Sequence, residues 1–200
     1  MTYKISKEFN LCYGHRVWVQ RLNEDFCAAG DSACKCRHLH GHEGKLVVNL
    51  SAAMMDDRSM VIDFKEIGWL KDFIDNTLDH KFIIDKNDPM FKTLVEDFYF
   101  KASGNDELIT KTIYIPGTKI SCGEVALLSN INGTKNVPID TPEYEVLEGY
   151  FIVDFVPTSE ALSQWLFKVV KEKMFGQFPN VKIDSVEWHE TPKSCAVYSE

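Results

Sequence analysis

The sequence predicts an α+β fold in which two helices cover one face of an antiparallel sheet. Two patterns of hydrophobic residues support this prediction. Apolar and polar residues alternate near both ends of the chain, which is typical of half-buried strands. Between them lie two stretches whose apolar residues recur every three or four positions, as in amphipathic helices. The predicted order is strand, strand, helix, insertion, helix, strand, strand, which builds two layers around one core.

The first strand is predicted close to the N-terminus, where four apolar side chains share one face: Tyr3, Ile5, Phe9 and Leu11. Residues 17–33 show no clean period, so we expect a loop there, which carries Cys27. The second strand begins in a histidine-rich stretch and continues through residues 45–51. Because side chains alternate along a strand, an unbroken second strand places His40 and His42 on one face.

The first helix is expected after a short strand at residues 60–64, and Asp63 is a suitable N-cap for it. Its apolar side chains recur at helical spacing: Ile67, Leu70, Phe73, Ile74 and Leu78. Residues from about 91 to 148 differ in character, because short apolar runs alternate there with Gly and Pro. They predict a β-rich insertion between the two helices of a single domain that spans residues 1–200.

The second helix is predicted to begin after Thr158, which is also a suitable N-cap. Glu160 adds negative charge to the first turn, where the helix dipole favours it. Its apolar stripe is expected to enter the core: Leu162, Trp165, Leu166, Val169, Val170 and Met174. Two further strands are predicted at residues 181–190 and 194–198, joined by a turn at Pro192.

Composition limits the classes of function. The chain has 200 residues and is 44% hydrophobic, enough for one domain with a real core. No apolar run approaches the roughly 18 residues that cross a bilayer, and the N-terminus lacks a signal core, so we expect a cytoplasmic protein without membrane contact. Its six cysteines are then expected to be thiols. The net charge of −8 argues against binding nucleic acid.

The stretch from Cys34 to His42 holds the highest density of metal-binding and nucleophilic side chains in the sequence. His40 and His42, on one face of a strand, provide two ligands for a zinc ion, and the one histidine upstream, His15, is the candidate third. Three imidazoles leave a fourth zinc position open, as in catalytic sites. Cys36 lies four positions before His40, close enough to act beside the metal.

The same stretch also permits other interpretations. The Cys34 and Cys36 thiols could join the two histidines in a closed structural zinc site, although the spacing differs from common structural patterns. A histidine pair by itself is also often a surface or core feature. The residues alone leave a catalytic metal, a structural metal and no metal open.

Five separated signals occur together and in order: the Phe9-to-His15 spacing, Cys36-x3-His40-Gly41-His42, residues 60–64, Leu78-Asp79-His80, and the helix start at 157–160 with Glu190-Thr191 after it. Together they resemble the 6-pyruvoyl- and 6-carboxy-tetrahydropterin synthase family, over residues 3–87 and 151–200. This resemblance implies the tunnelling fold (T-fold), a ββααββ unit whose sheets join into a barrel. It also implies a homo-oligomer built on trimers, up to a hexamer, with shared active sites.

The resemblance implies a zinc ion held by three residues, His15, His40 and His42. The zinc ion would bind the side-chain oxygens of a pterin triphosphate substrate and acidify neighbouring protons. Glu190 is implied as the pterin anchor, since one carboxylate accepts two adjacent N–H groups in parallel. Thr158 is a candidate substrate contact, although its capping role explains it equally well.

The same resemblance implies three catalytic residues. Cys36 would be the general base or acid, and a nearby zinc ion or protonated histidine would lower its pKa. Asp79 and His80 would form a relay pair that reaches this cysteine across a subunit boundary. Taken alone, the Asp79-His80 pair is more often a helix C-terminus with a favourably placed cation.

The position of the cysteine indicates the reaction. Cys36, four residues before His40, resembles the 6-carboxy-tetrahydropterin synthases of queuosine biosynthesis, which are lyases that release acetaldehyde and triphosphate from dihydroneopterin triphosphate. The 6-pyruvoyl enzymes place their cysteine two residues earlier, where this chain has Cys34. We favour Cys36 and the carboxy product, and the pyruvoyl reaction is the alternative. The insertion is expected on the outer surface or at an oligomer interface, with the zinc site intact.

Overall fold

The computed structural model describes residues 2–21, 34–128 and 137–200. The predicted loop around Cys27 lies largely outside these ranges. The described residues form strands and α-helices in the following order: β1 (Tyr3–His15), β2 (His40–Ala52), α1 (Trp69–Thr77), β3 (Lys81–Asp85), α2 (Asp97–Ser103), β4 (Thr110–Tyr114), β5 (Ser121–Ala126), α3 (Pro142–Glu148), β6 (Tyr150–Val153), α4 (Ser159–Met174), β7 (Val181–Thr191) and β8 (Ser194–Tyr198).

All the strands named above lie in one mixed sheet with the order β4-β5-β6-β3-β1-β2-β7-β8. The four strands predicted from both ends of the sequence pair as an antiparallel unit, β1-β2-β7-β8. Strand β3 then pairs in parallel with both β1 and β6. The α+β class is confirmed, and the parallel pairs extend the antiparallel sheet that the sequence predicts.

Strands β1 and β2 pair along their whole length, from Tyr3 opposite Ala52 to His15 opposite His40. Alternation decides which face is buried, since Phe9 and Leu11 enter the core while Asn10 between them is exposed. This register brings the end of β1 beside the start of β2. The predicted histidines therefore meet at one end of the sheet.

Helices α1 and α4 supply the second layer, with α1 against β1 and α4 against β7 and β8. The central core joins their apolar sides to the buried face of the sheet, and Trp188 is fully buried within it. The indole N–H of Trp188 donates to the Tyr13 hydroxyl oxygen at 2.8 Å, which satisfies a polar group in the core. The predicted N-cap is confirmed, because the Thr158 hydroxyl accepts the Ala161 N–H.

Residues 60–64 do not form the short strand that the sequence predicts. Asp63 instead caps a 3-10 turn, Phe64–Ile67, by accepting the N–H of Lys65, and α1 begins only at Trp69. A side-chain cap competes locally with strand pairing, which explains the difference.

Residues 91–148 contain strands β4 and β5, and they also contain helices α2 and α3, which the sequence analysis did not predict. Strand β5 pairs with β6 at Glu124 and Ile152, so this segment extends the main sheet. A second core of its own forms around Tyr99 and Leu147. None of the helices in the described parts of the chain is long and apolar enough to cross a membrane.

Candidate metal centre

Three histidines converge where β1 ends and β2 begins. His15 lies directly opposite His40, and His42 follows two residues later on the same face. Their ring centroids are 4.6, 5.1 and 5.0 Å apart, so the imidazoles form a nearly equilateral triangle. One coordinating atom from each ring lies within 4.8 Å of the other two. The predicted ligand set is therefore assembled within one chain.

Backbone carbonyls fix two of these rings in the tautomer that binds metal. His15 Nδ1 lies 2.6 Å from the oxygen of Pro157, and His40 Nδ1 lies 2.8 Å from the oxygen of His38. A carbonyl oxygen only accepts, so each Nδ1 carries the hydrogen and each Nε2 has a free lone pair. Metal-binding histidines commonly donate their other N–H in this way.

The separation of the ligand atoms fits a small tetrahedral ion. His42 Nε2 and His15 Nε2 are 3.2 Å apart. Two nitrogens bound tetrahedrally at the usual zinc–nitrogen distance would be separated by about 3.3 Å. Among the described residues this group contains no cysteine, so the donors are three nitrogens and a fourth position is open. The residues therefore fit a catalytic metal ion better than a closed structural site.

Burial keeps the deepest of these imidazoles neutral. His15 is only 1% exposed, and this desolvation lowers its pKa to about 4. The hydrogen bond to Pro157 and the charge of Glu190 act in the opposite direction, while His40 and His42 lower the pKa further. Burial also lowers the pKa of His42. Protons therefore compete weakly with a metal ion for His15 at neutral pH.

A β-bulge brings Glu190 to this centre. The register of β7 against β8 shifts between His189 and Thr191, which inserts one extra residue at Glu190. The Glu190 carboxylate lies 3.7 Å from His15 Nε2 and is about one quarter exposed. The predicted pterin anchor therefore adjoins the predicted metal ligands.

A cleft of about 380 Å³ opens beside the histidines. Its lining includes His15, His40, Cys36, Thr158 and Glu190. Cys36 lies in a 3-10 turn, Lys35–Arg37, whose position is fixed by a 2.7 Å hydrogen bond from the N–H of Val17 to the Cys36 oxygen.

The two candidate cysteines differ in access to this cleft. Cys36 is half-buried and lines it, whereas Cys34 is 0% exposed and belongs to the interior. Only a thiol that borders the cleft is able to exchange a proton with a molecule bound there.

Asp79 and His80 are not among the residues that line this cleft with Cys36. The Asp79 carboxylate accepts the N–H of Cys12 at 2.7 Å and lies 2.9 Å from His80 Nδ1. Partial burial raises the pKa of Asp79, but these hydrogen bonds outweigh it and leave the pKa below its usual value. His80 has a left-handed backbone, with φ 58°, stabilised by its N–H bond to the Cys12 oxygen.

His80 lines a second cleft, of about 670 Å³, which also contacts His42. Part of its wall comes from α3 and the residues after it, including Glu145, Val146 and Tyr150. Residues 91–148 were expected on the outer surface or at an oligomer interface, and part of this segment borders a cleft that His42 also lines.

Comparison with known proteins shows the family of the chain. The family model described as 6-pyruvoyl tetrahydropterin synthase matches residues 4–200. The chain belongs to this tetrahydropterin synthase family. A 6-carboxy-5,6,7,8-tetrahydropterin synthase of Aquifex aeolicus is 30% identical over 206 residues, covering 100% of this chain and 99% of the relative. A Rickettsia bellii protein with the same name is 38% identical over 55 residues, covering 27% of this chain and 40% of the relative.

Solved structures show the same fold as this tetrahydropterin synthase family member. An uncharacterized protein of Wolinella succinogenes has a TM-score of 0.80 and 38% identity, with 100% of this chain and 99% of that chain covered. The 6-pyruvoyl tetrahydropterin synthase of Plasmodium vivax has a TM-score of 0.52 and 13% identity, with 100% and 98% covered. The second likeness supports the T-fold alone.

One group in this family member was missed by the sequence analysis. Glu187, His189 and Cys195 offer ligand atoms that lie within 4.8 Å of one another. The alternate positions of Glu187 and His189 on a predicted strand were a weak signal. The contribution of Cys195 depends on the register of the β7–β8 hairpin, which the sequence did not specify.

Proposed function

We propose that this protein is a zinc-dependent 6-carboxy-5,6,7,8-tetrahydropterin synthase. It would act as a lyase that converts 7,8-dihydroneopterin triphosphate and one water molecule to 6-carboxytetrahydropterin, acetaldehyde and triphosphate in queuosine biosynthesis. The relative from Aquifex aeolicus, matched over its full length, supports this specific reaction. The observation that carries the proposal is the cleft that His15, His40, Cys36 and Glu190 line together. His42 completes the histidine triangle beside it.

Zinc is the ion proposed for His15, His40 and His42. Three nitrogen donors at tetrahedral spacing support this choice, because zinc prefers such ligands. When bound, zinc would act as a Lewis acid on the oxygens of the substrate side chain. The absence of cysteine from this group of described residues argues against the alternative of a non-catalytic zinc module.

Cys36 is the proposed acid–base residue. Its place on the cleft supports this role, and the complete burial of Cys34 argues against Cys34. The alternative 6-pyruvoyl reaction was suggested by the sequence position of Cys34, so this burial also weakens that alternative. A thiol is able to accept a proton from the substrate side chain and return it at a neighbouring atom.

Asp79 and His80 are the proposed relay pair, and a partner subunit would supply them to each cleft. His80 and Cys36 line different clefts of one chain, which supports a shared site, as does the 80% exposure of the His80 side chain. Asp79 would hold His80 by its Nδ1–H, leaving Nε2 directed outward. The proposed assembly is the homo-oligomer built on trimers, up to a hexamer, that the family resemblance implies.

Glu190 and Thr158 are the proposed substrate contacts. The Glu190 carboxylate would accept two N–H groups of the pterin edge. Because Glu190 lies beside His15, this contact would place the substrate's own side chain near the metal. Thr158 accepts the Ala161 N–H, so its own hydroxyl hydrogen is free to donate to a ligand in the cleft.

Product analysis tests this proposal. The zinc-loaded protein is incubated with dihydroneopterin triphosphate, and the expected products are 6-carboxytetrahydropterin and acetaldehyde. Formation of 6-pyruvoyl-tetrahydropterin without acetaldehyde would support the alternative reaction instead. The absence of any turnover by the metal-loaded oligomer would contradict both.

Two cysteine variants test the assignment of the base. Cys36→Ala should keep its metal and lower turnover by about 100-fold or more, the range for loss of an acid–base group. Cys34→Ala is the matched control. Assayed at a temperature well below the one at which this variant unfolds, it should retain turnover. If Cys36→Ala loses its metal, the thiol is a ligand and the site is a structural one.

A further inference from the structure

The β7–β8 hairpin carries a second cluster of metal-binding side chains. Glu187 and His189 lie on β7 with the same parity, and Cys195 lies on β8 directly opposite His189. Directly opposed residues in an antiparallel pair have neighbouring Cβ atoms. The coordinating atoms of the three side chains accordingly lie within 4.8 Å of one another.

This cluster lies on the face of the sheet away from the histidine triangle. Trp188, between Glu187 and His189, enters the core, so its two neighbours project from the opposite face. The side chain of Glu187 is 27% exposed and that of His189 is 20% exposed. An ion from solvent is therefore able to reach the group.

The position of the carboxylate is already fixed. Asn49 Nδ2 donates to Glu187 Oε1 at 2.8 Å, while Glu187 Oε2 lies 2.8 Å from His189 Nε2. Partial burial raises the pKa of Glu187, but these hydrogen bonds outweigh it and favour the charged form. Outer partners of this kind orient metal ligands in known sites.

We propose that Glu187, His189 and Cys195 form a second divalent-metal site, selective for a borderline-soft ion such as Zn²⁺. One imidazole nitrogen, one thiolate and one carboxylate are the donor types that zinc accepts, and they leave a fourth position open. The cation takes the place of the hydrogen between His189 and Glu187, and the neutral ring carries its hydrogen on Nδ1 instead. The thiol proton of Cys195 is released to solvent.

The site links the two strands beside the bulge at Glu190. Strand β8 pairs only with β7 in the described sheet, so a metal bridge from Cys195 to β7 ties the edge strand to its neighbour. The proposal is independent of the reaction assigned to the histidine cleft.

Cobalt substitution tests the site, because Co²⁺ replaces Zn²⁺ and a cobalt–thiolate bond absorbs in the near ultraviolet. The full chain is stripped with a chelator, kept reduced, and titrated with Co²⁺ while bound metal is counted. The expected result is a second cobalt ion per chain together with the thiolate band. Cys195→Ser should lose both the band and the second ion, and His189→Ala should lose the second ion.

Matched variants separate this site from the other thiols and from the histidine triangle. Cys36→Ser and Cys27→Ser should both keep the thiolate band. Cys27 lies outside the described ranges. His15→Ala should lose the first ion and keep the band, so failure of the proposed catalytic site would not affect this result. Asn49→Ala should weaken the second site by about 10- to 100-fold.

Three results would overturn the proposal: a single ion per chain in the unmodified protein, a band that persists in Cys195→Ser, or a band lost in Cys36→Ser. In each of these cases Glu187 and His189 form only a hydrogen-bonded pair.

Discussion

The acid sensitivity of the metal-free protein should depend on one buried residue, His15. Desolvation lowers its folded-state pKa to about 4, whereas the unfolded chain exposes an imidazole with a pKa near 6.5. At a pH below the pKa of the unfolded imidazole, the unfolded state binds a proton that the folded state does not. Stability is therefore fully present above about pH 6.5 and is lost as the pH falls toward the folded pKa near 4.

The size of the effect follows from these two pKa values. Between pH 7.5 and pH 5, the proton taken up by the unfolded chain lowers the free energy of unfolding by about 2 kcal/mol. The measurement is urea unfolding of the chelator-treated protein at both values of pH. His15→Gln is the matched control, since it fills a similar volume without titrating in this range.

Between the two pH values, the free energy of unfolding of the unmodified protein should fall by about 2 kcal/mol more than that of His15→Gln, by the same linkage argument. The subtraction removes the acid titration of carboxylates whose folded pKa values are low, such as Asp79 and Asp184. Equal losses in the two proteins would refute the reasoning, because His15 would then titrate alike in the folded and unfolded states. Added zinc should reduce the loss, since bound metal excludes the proton.

Two further substitutions test the elements that hold the site. Gly14→Ala would place a Cβ atom 2.6 Å from Phe82 Cδ2, so we expect a cost of about 1–3 kcal/mol in urea unfolding; an unchanged midpoint would show that β3 moves aside freely. Thr158→Ala should cost about 1 kcal/mol through loss of the α4 cap, whereas Thr158→Ser should keep it. If both Thr158 variants are equally stable, the cap contributes little.

The sequence was sufficient to predict the histidine triangle. Alternation along β2 decides that His40 and His42 share a face, and no long-range information is needed for that. The third histidine of the triangle required the β1–β2 pairing, and His15 was found because it is the one histidine upstream. The N-cap of α4 was likewise a local signal, and Thr158 fulfils it.

The features that were missed depend on contacts between distant residues. Strand β3 is five residues long and lies between β1 and β6, so its identity depends on pairing rather than on a pattern of its own. The bulge at Glu190 and the approach of Cys195 to His189 depend on a register that sequence periodicity does not determine. Helix α3 was missed because it is short and lies in a segment whose Gly and Pro content suggested turns.

Because β1 and β2 pair along their whole length, an ion bound by the three histidines would stabilise only the correct strand register. If β1 slipped by one residue, His15 would oppose Gly41, and the ring would turn away from the other two histidines. Such a misaligned chain offers fewer ligands and gains little from the ion. Metal binding therefore widens the energy gap between the correct alignment and its nearest competitor, so that loading the site also selects the conformation that formed it.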